Sequence, residues 1–173
     1  MNETNLHSSR LERLVGKISC ELISQEGEIR KVHLFDSKGI SRTLGIVKFY
    51  EVQGAELENA HSRILSGELL GKTLFEANIA FEKTYEGHLP VALPEWLQRD
   101  FDTGASSSIA LYSKIYINRH NGQEYKMLYA DVIEVIPPSL LMDFIKVAPP
   151  LVQTDTYIET LFNASGITKL NTS

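Results

Sequence analysis

The chain has 173 residues, a length that suits one domain better than two and is enough to bury a core without staples. Its 43% hydrophobic and 23% charged composition is that of an ordinary globular protein, and a net charge of −5 with no basic stripe argues against a nucleic-acid partner. One cysteine, Cys20, excludes an internal disulfide and a cysteine-based zinc motif, and no apolar run approaches the roughly 18–20 residues of a membrane span.

The N-terminus begins Asn2-Glu3-Thr4-Asn5 and carries no secretory signal, so a reducing, cytoplasmic setting is the expectation. Leu11, Leu14 and Val15 have helical spacing, which predicts a short amphipathic helix ending near Gly16. Ile18, Cys20 and Leu22 then alternate with polar residues as a strand does, and Gln25-Glu26-Gly27 turns the chain. Val32 and Leu34 mark a second strand, broken by Asp36-Ser37-Lys38-Gly39. A third runs from Leu44 to Val52. Glu56 to Ala60 is ambiguous between loop and helical turn. Ala60–Leu65 and Thr73–Glu82 read as the two arms of a β-hairpin, because Phe75, Ala77, Ile79 and Phe81 alternate with Glu76, Asn78, Ala80 and Glu82.

His88–Pro94 reads as a connection, and Pro94 opens a helix to about Phe101. Asp102 to Ser108 is a small-residue loop. Ile109–Asn118 mixes a helical turn with a strand, and His120-Asn121-Gly122 suits a tight hairpin turn. Tyr125–Ile136 is the long return strand, stopped by Pro137-Pro138. A capped short helix at Ser139–Phe144 and a possible last helix near Thr156–Phe162 follow, with Thr168–Ser173 expected to fray. These elements predict a single α+β domain over residues 1–150, a mostly antiparallel sheet of five to six strands with flanking helices, and a C-terminal tail over 151–173.

No Walker loop, dinucleotide glycine fingerprint, HExxH or G-x-S-x-G element is present, and the five histidines are scattered without ligand spacing. No metal or other cofactor is therefore expected. Two side chains stand out. Arg63, placed on the first hairpin arm before Ile64-Leu65, needs a partner if buried, and a ligand carboxylate suits its planar fork. Asp131 shares a strand face with Met127, Tyr129, Ile133 and Val135. Desolvation there favours the protonated form, which can act as a general acid. Glu134 lies on the opposite face of the same strand. Lys48, Phe49 and Tyr50 are candidates for a pocket wall, and Ile109 for its far side.

From Leu44 to Pro138 the order of parts resembles the chorismate lyase-like family: a strand at Ile46–Val52, an arginine strand at Ser62–Leu65, Gly71-Lys72 leading into Leu74–Phe81, a helix at Leu93–Phe101, then Asn121-Gly122 before a strand with an acidic residue that ends at proline. The resemblance implies a six-stranded antiparallel sheet with a buried site under flaps, and elimination of pyruvate from chorismate to leave 4-hydroxybenzoate. It implies Arg63 as the carboxylate clamp and Asp131 as the acid, or Glu134 if the strand slips. It also implies Tyr50 and Ile109 as ligand contacts, and it places Asn78 where well-known members carry a second arginine. The partner implied is a small anionic aromatic or carboxylate ligand, with no nucleic acid and no membrane; the oligomeric state is not read from the chain. Two alternatives stand beside the lyase: a non-catalytic ligand-binding domain of the same fold, and a hot-dog-type thioesterase or dehydratase.

Overall fold

The computed structural model describes residues 6–120, 124–151 and 156–170. The Asn121-Gly122 turn lies outside them. Strands β1 (Ser19–Glu26), β2 (Ile29–Phe35) and β3 (Ser41–Phe49) form an antiparallel meander. β3 then pairs with β6 (Glu124–Ile136), β6 with β5 (Ser107–His120), and β5 with β4 (Phe81–Ala92). A two-residue strand β7 (Thr168–Lys169) closes the far edge, so the described residues form one curled antiparallel sheet of seven strands in the order β1-β2-β3-β6-β5-β4-β7. The domain is α+β, as expected, with more strands than the five to six predicted.

Helix α1 (His7–Val15) ends where predicted. Gly16 follows it at φ 82°, a left-handed conformation that glycine adopts without strain. The hairpin over 60–82 is overturned. Ala55–Leu65 is helix α2 and Leu70–Glu76 is helix α3. Leu57, Ala60 and Ile64 recur at helical spacing and are the residues α2 buries, while α3 buries Thr73 and Leu74. The period-two pattern of Phe75, Ala77 and Ile79 is thus fortuitous, since Phe75 is 38% exposed and only Phe81 begins a strand. Of the connection expected over His88–Pro94, His88–Ala92 is the second half of β4, where Leu89 and Val91 alternate inward, and Ile109–Asn118 is strand throughout.

The C-terminal segment packs into the body. Helix α6 (Thr156–Ser165) places Ile158, Leu161 and Phe162 in one core with Leu44 and Ile46 of β3, Val91 of β4, and Leu97 and Phe101 from α4 (Glu95–Asp100) and the residue after it. Thr168 and Lys169, expected to fray, pair with Ala92 and Val91. Gly87 permits the close approach of the chain returning at Pro149–Leu151. A Cβ there would stand 2.9 Å from the Leu151 Cβ, and His88 exchanges backbone hydrogen bonds with Pro149 and Leu151 at 2.8 Å. The other sheet face carries two further cores. One lies under α2 and α3, with Val47, Phe49, Ile115 and Val132. The other lies under α1 and α5 (Leu141–Phe144), with Leu34, Leu111 and Ile136. Between them lies a cavity.

Candidate functional site

Alternation along the strands decides what meets in that cavity. Arg30, Val32 and Leu34 of β2 point into it, as do Thr43, Gly45 and Val47 of β3, Val132 and Glu134 of β6, and Phe81 and Lys83 of β4. Cys20 of β1 lines one side. The cover is Leu6, His7 and Ser8 at the start of α1 and Leu69–Gly71 at the start of α3. The cavity is partly open and its volume is about 90 Å³, below the roughly 150 Å³ known to admit a benzene ring. A ring-sized ligand therefore requires the α1–α3 cover to give way.

Arg30 is only 1% exposed. One guanidinium nitrogen, Nη2, donates to the Glu68 carbonyl at 2.7 Å and lies 3.6 Å from Cys20 Sγ, while its Nε has no hydrogen-bond partner. Both partners are neutral. Burial pushes the guanidinium pKa down and the Cys20 thiol up, the latter against the opposing pull of Arg30. A buried guanidinium without a counter-charge is costly, and a carboxylate is the group that fits its fork.

Among the described residues Glu134 is the one carboxylate lining the cavity, and it is already engaged. Lys83 Nζ reaches both its oxygens, at 2.7 and 2.9 Å, and His7 Nδ1 stands 3.5 Å from Oε2. Burial alone would raise the Glu134 pKa. Attraction from His7 and Lys83, with the Lys83 hydrogen bonds, outweighs it and holds the carboxyl below the ordinary range. Lys83 is held above its ordinary value, since Glu134 and Tyr85 overcome the effect of its burial. His7 moves the other way: desolvation lowers it from 6.5 to about 4, against Glu134, with Lys83 and Arg10 adding to the fall. Among the described residues the cavity at neutral pH thus holds Arg30⁺, Lys83⁺, Glu134⁻ and a neutral His7, one positive charge more than negative.

The His7 imidazole makes a pH prediction. The unfolded chain takes up a proton below pH 6.5, whereas the folded protein resists it until about pH 4. Stability is complete above pH 6.5 and falls as the pH drops through that window, by about 3 kcal/mol in all. Glu134, whose folded pKa is depressed, adds to the loss at the acid end. Urea titrations at about pH 7 and about pH 4.5 should show this slope in the wild type and a flatter one in His7→Leu.

Arg63 stands elsewhere. It lies on the outer face of α2, on the exposed side of the helix, where it pairs with Glu68 at 2.6 Å and Glu76 at 3.1 Å. Its guanidinium is satisfied by these surface carboxylates and does not line the cavity. Arg63→Ala should leave both the melting temperature and any ligand binding unchanged, as thermal denaturation and titration would show. Asp131 faces the opposite side of the sheet from Glu134. It is 2% exposed, accepts a hydrogen bond from Tyr112 Oη at 3.0 Å, and is bonded by Tyr50 Oη. Lys48 shares that face, 3.9 Å from Glu28 and 4.3 Å from the Tyr157 ring centroid. Asp131, Tyr50 and Lys48 are therefore brought together, but away from the cavity. Ile109 packs in the core under α1 and α5. Asn78, at φ 54°, follows α3 and borders a surface groove with Gln53 and Ala80. Of the residues singled out from the sequence, only Glu134 lines the cavity.

Arg30, Lys83 and His7 were missed. The signal for Arg30 was present: it is in phase with Val32 and Leu34, so it shares their buried face. Among the described residues no three His, Cys, Asp or Glu side chains converge as a metal site would need, and no helix is long and apolar enough to cross a membrane. No protein-family model matches the chain, and comparison with curated proteins finds no match.

Proposed function

We propose that this protein binds a small carboxylic acid in the cavity between the sheet and helices α1 and α3, with Arg30 holding the carboxylate, and that the reaction it supports is loss of pyruvate from chorismate. The observation that carries the binding step is the buried, unbalanced Arg30 guanidinium with its unpartnered Nε. An anion cancels the excess charge and gives that donor an acceptor.

For the elimination, Glu134 and Lys83 supply a base and an acid in contact. Ionised Glu134 suits proton removal, not donation. It would take the proton from the ring carbon that bears the hydroxyl. The electron pair of that C–H bond enters the ring, the C–O bond to the enolpyruvyl group breaks, and Lys83 protonates the departing oxygen. Proton exchange along the Lys83–Glu134 contact then restores both groups. Arg30 takes over the role expected of Arg63, and the acidic position falls on Glu134 in place of Asp131.

A second reading is ligand binding without turnover. The two Lys83 contacts on Glu134 favour it, because they lower the basicity that proton removal needs. Incubation with chorismate, with pyruvate and 4-hydroxybenzoate followed over time, separates the two. Turnover that disappears in Glu134→Gln supports the lyase. Tight binding of aromatic acids with no pyruvate released supports the binding module. Absence of both ends the proposal.

A further inference from the structure

Cys20 and Arg30 meet at the edge of the cavity. Cys20 pairs with Leu34 across β1 and β2, so its side chain shares the face of Leu34 and turns toward the cavity. Its Sγ lies 3.6 Å from Arg30 Nη2, and the residue remains partly exposed. The Nε and Nη2 atoms form one edge of a guanidinium. Arg42 grips Asp36 by that edge, and Arg63 grips Glu68 by it. At Arg30 the Nη2 end meets a carbonyl and a thiol, and the Nε end has no hydrogen-bond partner among the described residues. An edge suited to a two-oxygen anion thus stands beside a sulfur atom.

The space limits what reaches that sulfur. A volume of about 90 Å³ admits hydrogen peroxide, a molecule little larger than water with its share of roughly 30 Å³, but excludes a bulky thiol. Cys20 is the single cysteine of the chain, so an oxidised sulfur there has no internal thiol with which to form a disulfide. Oxidation then passes on to the sulfinate. One peroxide forms an S–O bond as its O–O bond breaks, giving sulfenic acid and water. A second adds another oxygen in the same way and releases a second water. Each step oxidises the sulfur by two electrons and reduces one peroxide, and the sulfinic acid finally loses its proton. Burial holds the thiol protonated, and Arg30 pulls against it, so the guanidinium favours both the attacking thiolate and the charged product.

We infer that Cys20 is a peroxide-oxidation site whose sulfinate is held by the Nε–Nη2 edge of Arg30. The modification supplies the buried guanidinium with a counter-charge from inside the chain. It also occupies the position that the acid-binding reading gives to a ligand carboxylate, so oxidation and acid binding exclude each other. That exclusion rests on the reading above, whereas the oxidation itself does not.

Treatment of the wild type, Cys20→Ser and Arg30→Met with hydrogen peroxide tests it, followed by peptide mass mapping and thermal denaturation. The wild type should gain two oxygens at Cys20, and Arg30→Met should do so about tenfold more slowly. Cys20→Ser, treated alike, corrects for oxidation of the three methionines. After that correction, oxidation should raise the melting temperature of the wild type by about 2–4 °C. In Arg30→Met it should lower the melting temperature, because the sulfinate then stands without its counter-charge. A Cys20 that stays reduced while the exposed Met142 is oxidised overturns the inference. A corrected melting temperature that falls in the wild type overturns it too, and that comparison decides the matter even if Arg30→Met does not fold. Benzoate titration before and after treatment separates the two readings. Oxidation with the expected shift in a protein that never bound an acid leaves the inference standing and ends the acid-binding reading. Benzoate binding with an inert Cys20 does the reverse. Where both hold, the oxidised protein should no longer bind benzoate, and retained binding would place the sulfinate away from Arg30 and overturn the inference.

Discussion

Arg30→Met is expected to stabilise the protein slightly, or leave it unchanged, while removing acid binding. The two effects have one cause. In the ligand-free protein the guanidinium is buried against a carbonyl and a thiol, with no carboxylate of the described residues in contact. Replacing an uncompensated buried charge by an apolar chain of similar length removes a desolvation penalty, and such exchanges are typically neutral or stabilising by about 1–4 kcal/mol. Loss of the donor to the Glu68 carbonyl offsets about 1 kcal/mol of that gain. Binding moves the other way. Removing one partner of a buried, hydrogen-bonded charge pair costs about 2–5 kcal/mol, which puts the loss of affinity for benzoate at roughly 30-fold or more. Thermal denaturation and calorimetric titration of the one variant read both effects. A large fall in melting temperature with affinity unchanged would mean that Arg30 is a structural residue satisfied by Glu68 and Cys20.

Lys83→Met has the opposite signature. It leaves Glu134 buried with no full counter-charge, since His7 is neutral at pH 7. Breaking a buried pair from one side costs about 3–5 kcal/mol. For a chain of this size that corresponds to a melting temperature lower by about 6–20 °C. The double variant Lys83→Met/Glu134→Leu should recover most of the loss, because an apolar pair of similar volume carries no desolvation penalty. The Lys83→Met deficit should also shrink as the pH falls, because Glu134, deprived of its partner, takes up a proton more readily and then needs no counter-ion. A single variant as stable as the wild type, with no gain from the second substitution, would show that the pair contributes nothing to the fold.

These expectations rest on side-chain pairings that the linear order of residues does not display. Arg63 illustrates the difficulty. Read as part of a strand, it lies on an apolar face and demands a ligand. In α2 the same residue lies five positions from Glu68 and thirteen from Glu76, and its charge is met on the surface. The error came from period. Phe75, Ala77, Ile79 and Phe81 mimic a strand over a stretch that is helix, turn and then strand, whereas Leu57, Ala60 and Ile64 carry the helical spacing that governs α2. Asp131 and Glu134 show the converse. Their assignment to opposite faces of one strand follows from alternation and agrees with the contacts each makes. Which face holds the cavity was not legible, because both faces are covered.

What the sequence determined by itself is local. Alternating apolar residues specified the meander from Ser19 to Phe49 and the long strand ending at Pro137, helical spacing and Gly16 bounded α1, and Pro94 opened α4. These features depend on neighbours within a few positions, where backbone geometry dictates which side chains share a face. Tertiary structure alone decided that β6 inserts beside β3, that Lys169 returns to the edge of β4, and that His7, Arg30, Lys83 and Glu134 meet in one enclosure. Those four residues come from a helix and three strands spread over most of the chain. Their meeting is governed by strand order and sheet curvature, which are set by the burial of whole faces, not by local spacing.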